Sequence, residues 1–198
     1  METEWSRWRR DIFGDPYLVW HDGPDFTAML AAARSDPPAV ARMLQAGLAE
    51  RDSLAALGFA SLAEAGLAPA DAADLLRAAA ASADGELLIR VAQALWASTG
   101  DPAWASAILP VLHADGSEFV RLDAAMALAG FPPAPGLIAE VARAVREDPA
   151  YLVRYHAANT LIRYAGGRGD ISDRPGLFAL VSGDDPAGWR AAAEQLAP

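Results

Sequence analysis

Val120-Arg-Leu-Asp-Ala-Ala-Met-Ala-Leu128 and Val153-Arg-Tyr-His-Ala-Ala-Asn-Thr-Leu161 are one nine-residue pattern written twice, 33 residues apart. The spacing extends backwards, because Ala92, Ala125 and Ala158 fall at that interval, as do Leu95, Leu128 and Leu161. Within the repeats an Asp also stands six residues before an Arg, as in Asp84/Arg90, Asp115/Arg121 and Asp148/Arg154. The two registers agree for the last two copies and differ by two residues for the first, so a small length change falls there. Self-similarity at a fixed period over two-helix units predicts a solenoid, in which each unit buries its apolar face only against its neighbours.

Outward from the repeat, helix punctuation fills the chain and strand signals are nearly missing. Asp-Pro pairs at 36–37, 101–102, 148–149 and 185–186 place an N-cap acceptor before a proline, whose missing N–H costs nothing at the first helical position. Gly66, Gly100, Gly130 and Gly166 stand where helices should stop. These marks predict helices near 3–13, 24–34, 37–49, 52–65, 69–82, 85–98, 101–113, 117–130, 133–147, 149–165, 174–182 and 186–197. The expected fold class is all-α, an α-α superhelix.

Composition agrees. Of 198 residues, 53% are apolar and 47 are Ala, the best helix former and small enough for close helix packing. All 16 basic residues are Arg, cysteine is absent, and the net charge is −10. Nucleic-acid affinity comes largely from basic groups that neutralise phosphates, so this balance argues against a nucleic-acid partner, and against an anionic membrane surface. No basic region precedes an apolar run at the start, and no segment reaches the ~18 apolar residues that span a bilayer. A cytoplasmic monomer is the expectation.

The Asp…Val-Arg-x-x-Ala-Ala-x-x-Leu pattern resembles HEAT repeats, in particular the short variety of phycobilisome-lyase-type proteins. The resemblance is good over 84–166, weaker over 37–83, where Asp52 lacks its Arg, and weakest over 173–197. Pro110 resembles the kinking proline common in the first helix of such pairs. The family implies about five helix pairs, at 37–65, 69–98, 101–130, 133–165 and 173–197. Residues 1–34 then form a non-repeating cap ahead of a solenoid over 35–198.

Two sets of residues follow from the register. Asp84, Asp115, Arg121, Asp148 and Arg154 are read as a structural ladder. In it Asp115 and Asp148 cap second helices, and Arg121 and Arg154 reach a neighbouring unit's Asp. Arg90, Asp123 and His156 share one position on three successive second helices, and Gln93, Met126 and Asn159 share the position three residues on, the same helix face. Trp96, Tyr155 and Arg163 flank them. The resemblance implies that second helices line the concave side, so these nine side chains form a candidate partner-binding strip. The plainer reading is a solvated face. At the N-terminus, Trp5, Trp8, Phe13, Tyr17, Trp20 and Phe26 are six of the chain's 16 aromatics. They suit a cap that seals the open end, or alternatively a docking helix.

Catalytic signatures are missing from the sequence. There is no nucleophile elbow, phosphate loop, His-Glu-x-x-His or dinucleotide fingerprint, and the three histidines are far apart. No cofactor or metal is implied. The expected function is a non-catalytic repeat protein binding a basic protein partner on its concave face, such as a bacterial adaptor or an immunity-type inhibitor. The alternatives are a phycobilin-lyase-like enzyme or chaperone, with Arg90, Arg163 and His156 meeting carboxylates, and a HEAT-like DNA glycosylase, which the acidic balance disfavours.

Overall fold

The computed structural model describes residues 2–15, 17, 19, 21 and 23–197, which leaves Trp20 outside the described residues. Among the described residues there are twelve α-helices and no strand. The chain divides into two compact units, Met1–Asp101 and Pro102–Pro198.

The first unit contains α1 (Glu4–Phe13), α2 (Thr27–Ser35), α3 (Pro37–Ala49), α4 (Ser53–Glu64), α5 (Ala72–Ala80) and α6 (Gly85–Thr99). Helix α3 starts as its sequence demands, with the Asp36 carboxylate accepting the Ala39 amide and Pro37 in the first turn. Gly100 ends α6 in the left-handed region at φ 67°, where a side chain would be strained. Helices α3 and α4 pair, α5 and α6 pair, and the second helices α4 and α6 stack closely over buried Phe59, Ile89 and Leu95. Helix α1 packs on α3. Its Trp5 is fully buried against Gly47, where an added Cβ would lie 2.7 Å from the indole ring.

The second unit contains a 3₁₀ turn (Pro102–Trp104), α7 (Ala105–Leu112), α8 (Glu118–Leu128), α9 (Pro135–Glu147) and α10 (Tyr151–Tyr164). A second 3₁₀ turn (Ile171–Asp173), α11 (Pro175–Ser182) and α12 (Pro186–Leu196) follow. The first expected helix of this unit therefore opens as a 3₁₀ turn after Asp101-Pro102, and Pro110 sits inside α7. Helices α8 and α10 stack through fully buried Ala124, Ala125, Ala157 and Ala158, which is why both copies carry the Ala-Ala pair. Leu128 and Leu161 are fully buried. Two hydroxyls tie the stack: Thr160 donates to the Ala125 carbonyl at 2.8 Å and Tyr164 to that of Leu128 at 2.6 Å. Burial pushes the Tyr164 phenol up.

The last pair departs from a simple continuation. Helix α11 packs on α10, a second helix, and α12 packs on α9, a first helix, so the two layers are exchanged relative to the preceding pairs. The cause is the connection after α10, which folds back along that helix and delivers α11 beside it. Gly130, expected to stop a helix as Gly66, Gly100 and Gly166 do, sits in a turn without positive φ.

Candidate functional site

The ladder residues divide into two kinds. Arg121 on α8 makes a two-pronged pair with Asp148, Nε to Oδ2 at 2.7 Å and Nη2 to Oδ1 at 3.1 Å, joining one helix pair of the second unit to the next. Both side chains are largely buried, and the hydrogen bond to Asp148 raises the Arg121 pKa further. Arg154 behaves differently from the expectation. It reaches no carboxylate and donates instead to four backbone carbonyls: Asp148 at 2.8 Å, Pro149 at 2.9 Å, Val181 at 2.9 Å and Gly183 at 3.2 Å. Its guanidinium lies 3.8 Å from the centre of the Trp189 ring. The exchanged layers explain this, because the end of α11 presents free carbonyls where the next Asp would stand. Burial lowers the pKa of Arg154, against the pull of Asp148 and Asp184.

Capping also differs. Ser117, not Asp115, caps α8, since the Ser117 hydroxyl, two residues nearer the helix, accepts the Phe119 amide. Asp148 accepts the Ala150 amide at 2.8 Å, but Ala150 is the N-cap of α10. In the first unit Asp84 accepts from Arg51 at 2.8 Å. Asp52, which has no Arg six residues on, takes its partners from α1: the Trp5 indole N–H at 2.9 Å and Arg9 at 3.3 Å.

Of the nine strip residues, the second unit brings four together. Met126 on α8 and His156, Asn159 and Arg163 on α10 line an open cleft of about 620 Å³, completed by the Gly167–Asp170 segment. Arg90, Gln93 and Trp96 stand on α6 in the first unit, where Arg90 donates to Gln93 at 3.2 Å. Neither these three nor Asp123 on α8 lines the cleft. Tyr155 and Asn159 are structural clamps: they donate to the two oxygens of Asp170 at 2.5 and 2.7 Å, and Asn159 accepts the Ile171 amide at 2.7 Å. Burial pushes the Asp170 carboxyl up, but the Ser172 amide and the Tyr155 and Asn159 side chains outweigh it and hold the pKa below the usual value. The same contact with Asp170 pushes the Tyr155 phenol up. Desolvation lowers the His156 pKa, opposed by Asp170, so the ring is neutral near pH 7.

Residues 105–197 match the family model for HEAT repeats, a span that begins with α7 and ends with α12. That span of the chain is made of HEAT repeats. No curated protein and no solved structure matches it. No helix among the described residues is long and apolar enough to cross a membrane.

The HEAT repeats of the second unit carry an exposed apolar set of which the strip included only Met126. Phe119 is 64% exposed, Met126 51%, Leu152 41% and Tyr151 36%. Phe119 and Met126 share one face of α8, two turns apart, and Leu152 shares the face of α10 that carries Tyr155, His156, Asn159 and Arg163. The repeat period held the signal. Phe119 and Leu152 are 33 residues apart, each just before a Val-Arg, so an apolar residue recurs at a position that both copies expose.

Proposed function

We propose that this HEAT-repeat protein is a non-catalytic interaction scaffold that docks a protein partner on the α8–α10 face of its second unit. One observation carries the reading. Of the five large apolar side chains exposed among the described residues, four lie on α8 and α10. Large apolar side chains concentrated on two stacked helices and left open to water are a mark of interaction surfaces. HEAT repeats commonly serve protein interaction, which supports the same reading. The partner is a basic protein, favoured by the net charge of −10 through long-range steering, as suits an adaptor or an immunity-type inhibitor.

Crosslinked capture from the native lysate, quantified by mass spectrometry, tests this with Phe119→Glu and Leu152→Glu beside the unaltered protein. A stoichiometric partner lost by both variants, at unchanged helicity and melting temperature, is the expected result. A partner retained by both variants would sink the docking surface.

A further inference from the structure

The cleft beyond that apolar face carries more cationic than anionic side chains. Two guanidiniums line it, Arg163 near the end of α10 and Arg168 in the following loop, against the single carboxylate of Asp170. That carboxylate is committed elsewhere, to Tyr155, Asn159 and the Ser172 amide. No described residue forms a hydrogen bond or ion pair with the side chain of Arg163 or Arg168. A second cavity of about 350 Å³, beside Arg121, is the instructive contrast. There Arg121 is already joined to Asp148 and Arg143 to Glu140 at 2.6 Å, so its cations are neutralised from within. In a chain of net charge −10, two unneutralised guanidiniums at one cleft are a local reversal of sign.

The geometry points to this cleft as a carboxylate-binding site that takes an acidic side chain of the docked partner. The assignment rests on the docking surface proposed above and names the chemistry at one end of it. Arg163 and Arg168 supply planar forks matched to a carboxylate. Met126 and Ala129 offer apolar wall for an aliphatic stem, as a Glu side chain has. Asp170 on the rim repels a dianion about twice as strongly as a monoanion, which favours a carboxylate over a phosphate. The neutral ring of His156 adds polar contact without further charge.

Spacing gives the rest of the ligand. Leu152 and Arg163 are eleven residues apart on one helix face, about 16 Å at the α-helical rise. An extended peptide covers that in about five residues. The fitting segment therefore carries an apolar anchor and, about five residues away, an acidic residue. Such a segment can sit on a partner whose overall charge is positive.

The probe is an acetylated and amidated hexapeptide that opens with Phe and closes with Glu, Gly and Ser filling the middle, with a Gln-ended twin. Both are titrated by NMR into the full chain at physiological salt, where screening over about 8 Å leaves local charges dominant. The Glu peptide is expected to bind at least tenfold tighter than its twin and to shift the Asn159 and Arg163 side-chain signals. That preference should vanish in the Arg163→Gln/Arg168→Gln double variant at unchanged melting temperature. Phe119→Glu and Leu152→Glu should weaken both peptides alike and leave their ratio intact. Equal binding of the two peptides, a preference that survives in the double variant, or binding by neither overturns the carboxylate assignment. Equal binding that Leu152→Glu abolishes removes the cleft and keeps the docking face, which lysate capture judges separately.

Discussion

In the first unit a terminal helix is fastened by an aromatic ring sunk into a glycine notch; in the second, by a guanidinium that collects backbone carbonyls. Trp5 needs only shape, since the missing side chain of Gly47 makes room for the indole and Asp52 takes its one N–H. Arg154 needs a constellation: four carbonyl oxygens from two segments and the Trp189 face beneath them. Between helix pairs the contrast repeats. The Arg51–Asp84 pair of the first unit is solvent-exposed, whereas Arg121–Asp148 of the second is largely buried. Exposed pairs are screened by water and contribute little. Buried ones hold register strongly because a lone partner left behind is so unfavourable.

The largest expected effect follows from that asymmetry. Arg154→Met keeps the apolar stem but strands carbonyls of α11 and of the turn before α10, and should destabilise by roughly 3–5 kcal/mol. Urea denaturation measures it, and hydrogen exchange should quicken in α10, α11 and α12. A loss below ~1 kcal/mol would mean water satisfies those carbonyls and the contrast between the units fails. Next is Gly47→Ala, whose Cβ would meet the Trp5 ring and Ala55 at 2.7 Å. Overpacking of this kind costs about 1–3 kcal/mol. Pairing it with Trp5→Leu should recover part of the loss, because a smaller side chain vacates the notch. Absence of any recovery would show that the strain lies at Ala55 instead.

These two positions also show what the sequence disclosed. The helix pairs were legible because capping chemistry is local. Asp36-Pro37 starts α3 and Asp185-Pro186 starts α12 where expected, and the fold class follows from the repeat. Arg121 with Asp148 was legible because two adjacent copies keep one register. Arg154 was not, although it occupies the same repeat position, because its partners are backbone carbonyls that leave no trace in side-chain identity. The exchange of α11 and α12 was hidden for a related reason. It is set by a loop whose anchor, Asp170, is held by Tyr155 and Asn159, residues that looked like variable surface positions. Trp5 and Arg9 could be seen as aromatic and basic, but only the fold brings them to the Asp52 that lacked its Arg.

A smaller effect is expected at Arg51→Ala, which removes the exposed bonds to Asp84 and the Ser82 carbonyl. It should cost less than about 1 kcal/mol, and less still in high salt. Arg51 also holds a positive φ of 59°, so Arg51→Gly is the sharper comparison. Glycine loses the same pair but relieves the left-handed backbone, and should leave the melting temperature at or above that of the Ala variant. If the Ala variant falls as far as Arg154→Met, burial is not what separates the two kinds of ladder.

The smallest effect concerns protons, and it too should fall on one unit. His113 and His156 both belong to the second unit, and desolvation lowers the pKa of each from its ordinary 6.5. Beside His113, Arg143 lowers it further while Glu140 and Glu147 oppose; beside His156, Asp170 opposes. A histidine with a depressed folded pKa binds its proton more readily in the unfolded chain. Its contribution to stability is therefore complete above 6.5 and is lost as pH falls from there towards the folded value. Glu140 and Asp170, whose pKa values are lowered from 4.5 and 3.8, act in the same direction but only in a more acidic window. Between pH 7 and 5.5 the melting temperature should fall modestly, both rings being only half-buried, with exchange quickening in residues 102–198. The double variant His113→Gln/His156→Gln should be flat across that window and keep the loss below pH 4.5. A wild-type protein that gains stability on acidification to pH 5.5 would show that Glu140 and Asp170 outweigh desolvation, reversing the sign assigned to both rings.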